Sequence, residues 1–131
     1  MMLVLDASAA VRVVTGHDAD GLLAAALGQA NEVVVPDLFA PEVSSALWKW
    51  ARYGGVDTET ALASLRVALA LPDRWLPCAE LAPEVFELAA RLGRPVYDLY
   101  YLVAARRLAA VLMTRDNGLI RLAGELGVRV G

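Results

Sequence analysis

The sequence predicts an α/β protein: a parallel β-sheet covered by helices on both faces. Five short apolar runs rich in Val and Leu recur along the chain, at residues 3–5, 33–35, 75–76, 111–113 and 128–130. They do not alternate apolar with polar residues, as strands wetted on one face would, so both faces of each are expected to be covered. Segments of helical spacing lie between them, the order that a β-α-β crossover needs. With 131 residues and neither internal repeats nor a linker-like stretch, residues 1–131 read as a single domain.

The expected helices have legible ends. Residues 7–15 and 19–30 are rich in Ala and Leu, broken at Thr15-Gly16-His17-Asp18, with Asp18 placed to cap the second. A third runs over 37–53 and stops at Gly54-Gly55. Asp57 or Thr58 caps a fourth, over 57–71, whose Ala61, Leu62, Leu65, Ala68 and Leu69 keep helical spacing. Pro83 is expected in the first turn of a fifth, which closes at Gly93. Residues 97–109 are apolar up to Arg106-Arg107 and read as a buried helix. A short helix over about 117–124 precedes the last strand.

Composition removes several chemistries. The chain is 58% hydrophobic with a mean hydropathy of +0.50, which excludes disorder. Its longest charge-free stretch, residues 21–31, is too short to span a bilayer. No basic leader precedes Asp6, so a cytosolic protein is expected, with surplus apolar surface that suits a homodimer or another partner. One cysteine, Cys78, cannot form an internal disulfide, and with His17 as the only histidine no Cys/His zinc site can assemble. A histidine acid–base pair is excluded on the same count, and no G-x-S-x-G elbow presents a serine nucleophile. Net charge is −3, so no global basic field draws in nucleic acid. What the chain has in supply is carboxylate.

In parallel α/β sheets, ligands bind beyond the carboxyl ends of the strands. Asp6 directly follows the first run, Asp116 follows the fourth, Asp98 opens the buried helix, and Glu42 lies early in the third helix. Each has a purely structural alternative. Asp6 and Asp98 can cap helices, Asp116-Asn117-Gly118 can be a turn, and Glu42 suits a helix N-terminus. Asp37, after Pro36, reads as a cap alone. As a set they are more telling. Four neighbouring carboxylates repel one another and call for a cation, and an all-oxygen site suits Mg²⁺ or Mn²⁺.

Four stretches resemble the motifs of PIN-domain nucleases, and at this length the VapC-type toxins of toxin–antitoxin pairs. They are Leu3-Val4-Leu5-Asp6-Ala7-Ser8-Ala9, the segment from Pro36 through Glu42 to Lys49, Tyr97-Asp98-Leu99-Tyr100-Tyr101-Leu102-Val103-Ala104, and Thr114-Arg115-Asp116. Order and spacing agree over essentially the whole chain. The resemblance implies a three-layer α/β/α sandwich on a parallel sheet of about five strands. It implies a Mg²⁺- or Mn²⁺-dependent endoribonuclease, held inactive by a VapB-type antitoxin, with Asp6, Glu42, Asp98 and Asp116 as the metal-binding acids. Asp6 and Asp98 would hold the principal metal, Ser8 would be a supporting hydroxyl, and hydrolysis by an activated water would leave 5′-phosphate and 3′-hydroxyl ends. Ser45 departs from the pattern, since many relatives carry Asn there. A rival reading is a catalytically idle PIN-like module that binds RNA or a partner.

An acidic chain needs local cations to hold RNA. Lys49 lies seven residues from Glu42 on the same helical face, roughly 10 Å along it. Arg12 and Arg115, with Arg52 and Arg94, are further candidates for backbone contacts, each with a solvated surface charge as its alternative. Trp48 and Trp50 are expected to pack rather than stack on bases. Tyr97, Tyr100 and Tyr101 read as packing residues, His17 as a loop residue and Cys78 as a small apolar one. A receiver domain would need an acid beside Asp6, where Leu5 stands, and a dehalogenase-type phosphatase would need one at Ser8.

Overall fold

In the computed structural model, which describes residues 1–131, four strands form one parallel sheet. They are β1 (Met2–Leu5), β2 (Glu32–Pro36), β3 (Arg74–Leu76) and β4 (Val111–Met113), in the spatial order β3-β2-β1-β4. Leu3 pairs with Val33 on one side and Val111 on the other, and Val4 with Val34 and Leu112. With neighbours on both edges and helices on both faces, Leu3, Val4 and Leu5 are fully buried. That is why the runs do not alternate.

Seven helices cover the sheet: α1 (Ala7–Val14), α2 (Leu22–Gln29), α3 (Phe39–Tyr53), α4 (Thr58–Ala70), α5 (Cys78–Leu92), α6 (Val96–Leu108) and α7 (Asn117–Glu125). Helix α1 packs against α2, α3 and α4, whereas α6 packs against α5 and α7 and lies on β1, β2 and β4. The α6 stretch from Tyr101 to Ala105 is buried throughout, as its unbroken apolar sequence requires. Phe39, Val43 and Leu47, at helical spacing on α3, join the same continuous core.

Several expected boundaries move. The run at 128–130 contributes one parallel bridge, Leu112 to Val130, rather than a fifth strand. Helix α2 starts at Leu22, because residues 18–21 make a turn whose Gly21 takes a left-handed φ of 70°. Asp18 still caps it from outside, accepting from the Leu23 and Ala24 amides at 3.3 and 3.0 Å. Asp57 caps α4 through the Thr60 amide at 2.7 Å. Asp37 does not cap α3. It accepts the Cys78 amide at 3.0 Å and so ties the end of β2 to the start of α5. Helix α5 begins at Cys78, which leaves Pro83 inside the helix rather than in its first turn.

The sheet order matters for the site. From β1 the chain crosses to β2 on one side, and β4 later returns on the other, so the crossovers diverge beside the carboxyl end of β1. A crevice opens where crossovers part in this way.

Candidate active site

Asp6 is the first residue beyond β1. It occupies the N-cap position of α1 yet makes no capping bond. Its Oδ2 accepts instead from the Ser8 hydroxyl at 2.7 Å and the Thr114 hydroxyl at 2.6 Å. Each hydroxyl has one proton and gives it to Asp6. Each then has lone pairs left to accept a backbone amide beyond β4, Arg115 N–H onto Ser8 at 3.1 Å and Asp116 N–H onto Thr114 at 3.0 Å. Two parallel relays, amide to hydroxyl to carboxylate, thus fix the loop that carries Asp116 against Asp6.

The other acids arrive from three further elements. Asp116 caps α7, its Oδ1 accepting the Leu119 amide at 2.8 Å. Glu42, in the first turn of α3, accepts the Tyr101 hydroxyl of α6 on Oε1 at 2.7 Å. Asp98 lies in the first turn of α6, where Pro95 is the N-cap. The capping alternative therefore fails for Asp6 and Asp98, and Asp116, expected at most in a turn, caps a helix instead. Asp6, Glu42, Asp98 and Asp116, together with Ser8 and Arg12, line one cavity of about 550 Å³.

Crowding shows in the titration of these groups. Burial pushes the Asp6 carboxyl above its ordinary value; the bonds from Thr114 and Ser8 oppose that, and the charge of Asp116 adds to it. Glu42 is raised by burial and by the charges of Asp6 and Asp98, against the bond from Tyr101. Asp98 is raised by burial, then by Asp116 and Asp6, with Arg94 pulling the other way. Burial beside Glu42 drives the Tyr101 hydroxyl far above its ordinary 10, so it stays a donor.

Such a set fits a divalent cation in its chemistry. Glu42 and Asp116 each have one oxygen held by the protein and one free of any protein bond, and Asp98 has both free. All the donors are hard oxygens, which suit Mg²⁺ or Mn²⁺. The side chains are not drawn together around a point: no three Asp, Glu, His or Cys groups stand as a ready ligand set.

The expected RNA contacts are placed unevenly. Arg12 is on the wall of the acid cavity. Arg115 lines a neighbouring hollow of about 160 Å³, to which Arg12 and His17 also contribute. Lys49 is exposed and lines neither. Arg52 belongs to a groove between α3 and α4. Trp50 packs against the core and Trp48, 57% exposed, lies edge-on to Tyr53 at the surface, whereas Tyr97 is 65% exposed, against the expectation that it would pack. Cys78 is half-buried, its thiol pushed up to about 11 by burial and by its bond to Asp37.

Sequence reading missed four residues that shape the site. Thr114 and Tyr101 orient Asp6 and Glu42. Thr15 and His17 stand on the cavity wall. The signal for Thr114 was its position two residues before Asp116. Tyr101, inside an apolar helix, carried none.

Comparison with known proteins assigns the family. The profile of the PIN domain matches residues 3–125. The chain belongs to the PIN-domain family. Ribonuclease VapC3 of Pyrobaculum aerophilum is 33% identical over 127 residues, covering 91% of this chain and 92% of that one. Among solved structures, PAE2754 from Pyrobaculum aerophilum superposes with a TM-score of 0.72 at 27% identity, over 92% of this chain and 86% of its own. VapBC2 from Rickettsia felis, bound to a DNA fragment from its promoter, gives 0.68 at 15% identity over 100% and 98%, a likeness of fold. In this PIN domain the expected parallel sandwich is present with four strands, and no helix is long and apolar enough to cross a membrane.

Proposed function

We propose that this PIN domain is a Mg²⁺- or Mn²⁺-dependent endoribonuclease of the toxin–antitoxin type, leaving 5′-phosphate and 3′-hydroxyl ends. The observation that carries the reading is the convergence of Asp6, Glu42, Asp98 and Asp116, from four separate elements, on one cavity at the carboxyl edge of the sheet. The identity to Ribonuclease VapC3 supports it.

Asp6 and Asp98 would hold the principal cation, and Glu42 and Asp116 would complete its site or that of a second cation. Bound there, the cation supplies an activated water and positive charge against the phosphoryl group. The chain's own residues do the rest. Ser8 and Thr114 orient Asp6 and favour its charged form by donating to it, against the burial that raises its pKa, and Tyr101 does the same for Glu42. Arg12, on the cavity wall, and Arg115 beside it offset the charge of the RNA backbone.

The partners proposed are RNA, a VapB-type antitoxin and a second copy of the chain, in the cytoplasm. Exposed apolar residues support a partner surface, among them Trp48, Tyr53 and Leu62 beside the groove between α3 and α4.

The test is incubation of the purified chain with a mixed RNA pool in Mg²⁺, in Mn²⁺ and in EDTA, beside an Asp98→Asn variant. Metal-dependent cuts bearing 5′-phosphates and absent from the variant are expected. Cyclic phosphate ends, or cutting that persists in EDTA, would contradict the mechanism. No cutting of any RNA, with or without binding, would leave the idle module.

A further inference from the structure

Next to the acid cavity lies the smaller hollow walled by Arg12, His17 and Arg115, with Arg12 and His17 shared between the two. Neither arginine is within ion-pair distance of a carboxylate, although Asp18 and Asp20 stand on the same wall. Those acids are spent on the start of α2. Asp18 uses both oxygens on the Leu23 and Ala24 amides, and Asp20 uses one on Leu22 N–H. Two guanidinium groups without an ion-pair partner, Arg115 giving one N–H to Thr114 O at 3.2 Å and keeping the rest, are placed for an external anion.

His17 is held in one tautomer. Gly16, at a left-handed φ of 77°, turns the chain back so that His17 N–H bonds Arg12 O at 2.8 Å. The Thr15 hydroxyl gives its only proton to Val11 O at 2.6 Å. Its 2.7 Å contact with His17 Nδ1 therefore requires the ring nitrogen to donate. In the neutral ring Nε2 is then a bare acceptor, and no protein donor reaches it. Trp50, edge-on to the imidazole at 6.4 Å, steadies the ring.

We propose that this hollow is a ribonucleotide subsite, in which Arg12 and Arg115 bind the phosphate next to the scissile one and His17 Nε2 accepts the 2′-hydroxyl of its ribose. A phosphate offers only acceptors, whereas the 2′-hydroxyl of RNA, which DNA lacks, offers the bare ring nitrogen a proton. The subsite rests on the nuclease reading above and extends it to the choice of sugar.

The test measures binding of a mixed-sequence single-stranded RNA and of the same sequence as DNA to the Asp98→Asn protein, which is expected to hold substrate without cutting it. Arg12→Gln and Arg115→Gln are each expected to weaken both ligands and to reduce the salt slope of log K by about 0.7. His17→Ala is expected to leave DNA binding unchanged and weaken RNA roughly fivefold, the worth of one hydrogen bond. His17→Gln, whose amide oxygen can accept, should restore part of the RNA preference. Unchanged melting temperatures in these variants would establish that the fold is intact. RNA binding indifferent to all the substitutions would overturn the subsite alone. No RNA binding by the Asp98→Asn protein, with no cutting by the wild type, would overturn the nuclease reading and the subsite together.

Discussion

A carboxylate in a crowded site owes its orientation to the hydroxyl that points at it, and Tyr101 is the clearest instance. Its proton rests on Glu42 Oε1 at 2.7 Å, and it is fully buried. Tyr101→Phe keeps the ring and removes only that donor. Glu42 then loses the bond that favours its charged form, and its pKa rises further. The Mn²⁺ concentration for half-maximal cleavage should rise about 10- to 100-fold, while stability in EDTA falls by no more than about 1 kcal/mol. Metal dependence equal to the wild type would remove Tyr101 from the site. The contrast with the acids explains what could be read in advance. Asp6 and Asp116 were legible because they follow β1 and β4, and a residue in that position faces the ligand edge whatever the details. Tyr101 and Thr114 were not, because a hydroxyl's partner is set by where two distant helices or strands cross. His17 was rightly placed in a loop, but its place on the cavity wall depends on the turn at Gly16 and on Trp50, and spacing reveals neither.

Helix α5 departs furthest from its expected boundaries. Pro83 suggested a first turn, yet Asp37 reaches from the end of β2 to the Cys78 amide and starts the helix five residues earlier. A cap supplied from 41 residues away leaves no local pattern. Pro83 then denies one amide to the helix and crowds the carbonyl of Ala79. Pro83→Ala should stabilise the protein by about 1 kcal/mol, read as an increase in the urea midpoint at constant slope. A fall in the midpoint would show that the proline ring packs productively. The strands were more legible, since runs such as Leu3-Val4-Leu5 with no polar face leave few alternatives. The run at 128–130 shows the limit of that rule. Its Val128 is buried in the core, but the backbone contributes only the bridge at Val130.

At the scale of the whole molecule, the acid cavity trades stability for function. Asp6, Glu42 and Asp98 have folded-state pKa values above the ordinary 3.8, 4.5 and 3.8. Between those ordinary values and the raised ones, the native chain binds more protons than the unfolded chain. Stability therefore falls as pH rises through that window, and the penalty stays in full above it. Asp37, lowered by bonds from the Cys78 thiol and amide, and Asp57, lowered by bonds from the Thr60 amide and hydroxyl, act in the opposite sense below 3.8, where their stabilisation is lost as pH falls. In EDTA the melting temperature should decline as pH is raised from about 4.5, and less steeply for Asp98→Asn. An identical decline in both proteins would mean that Asp98 does not share the repulsion.

A divalent cation should reverse that penalty, and the reversal is the most direct test of the central claim, that the four acids form one cation site. The measurement is the melting temperature of the wild type and of Asp98→Asn against Mn²⁺ concentration, at neutral pH and without RNA. The wild type should start lower and gain with Mn²⁺, reaching about 2.7 kcal/mol at a hundredfold excess over Kd. Asp98→Asn should start higher and respond little. A wild type that does not respond to Mn²⁺, or a variant that responds equally, would contradict the account.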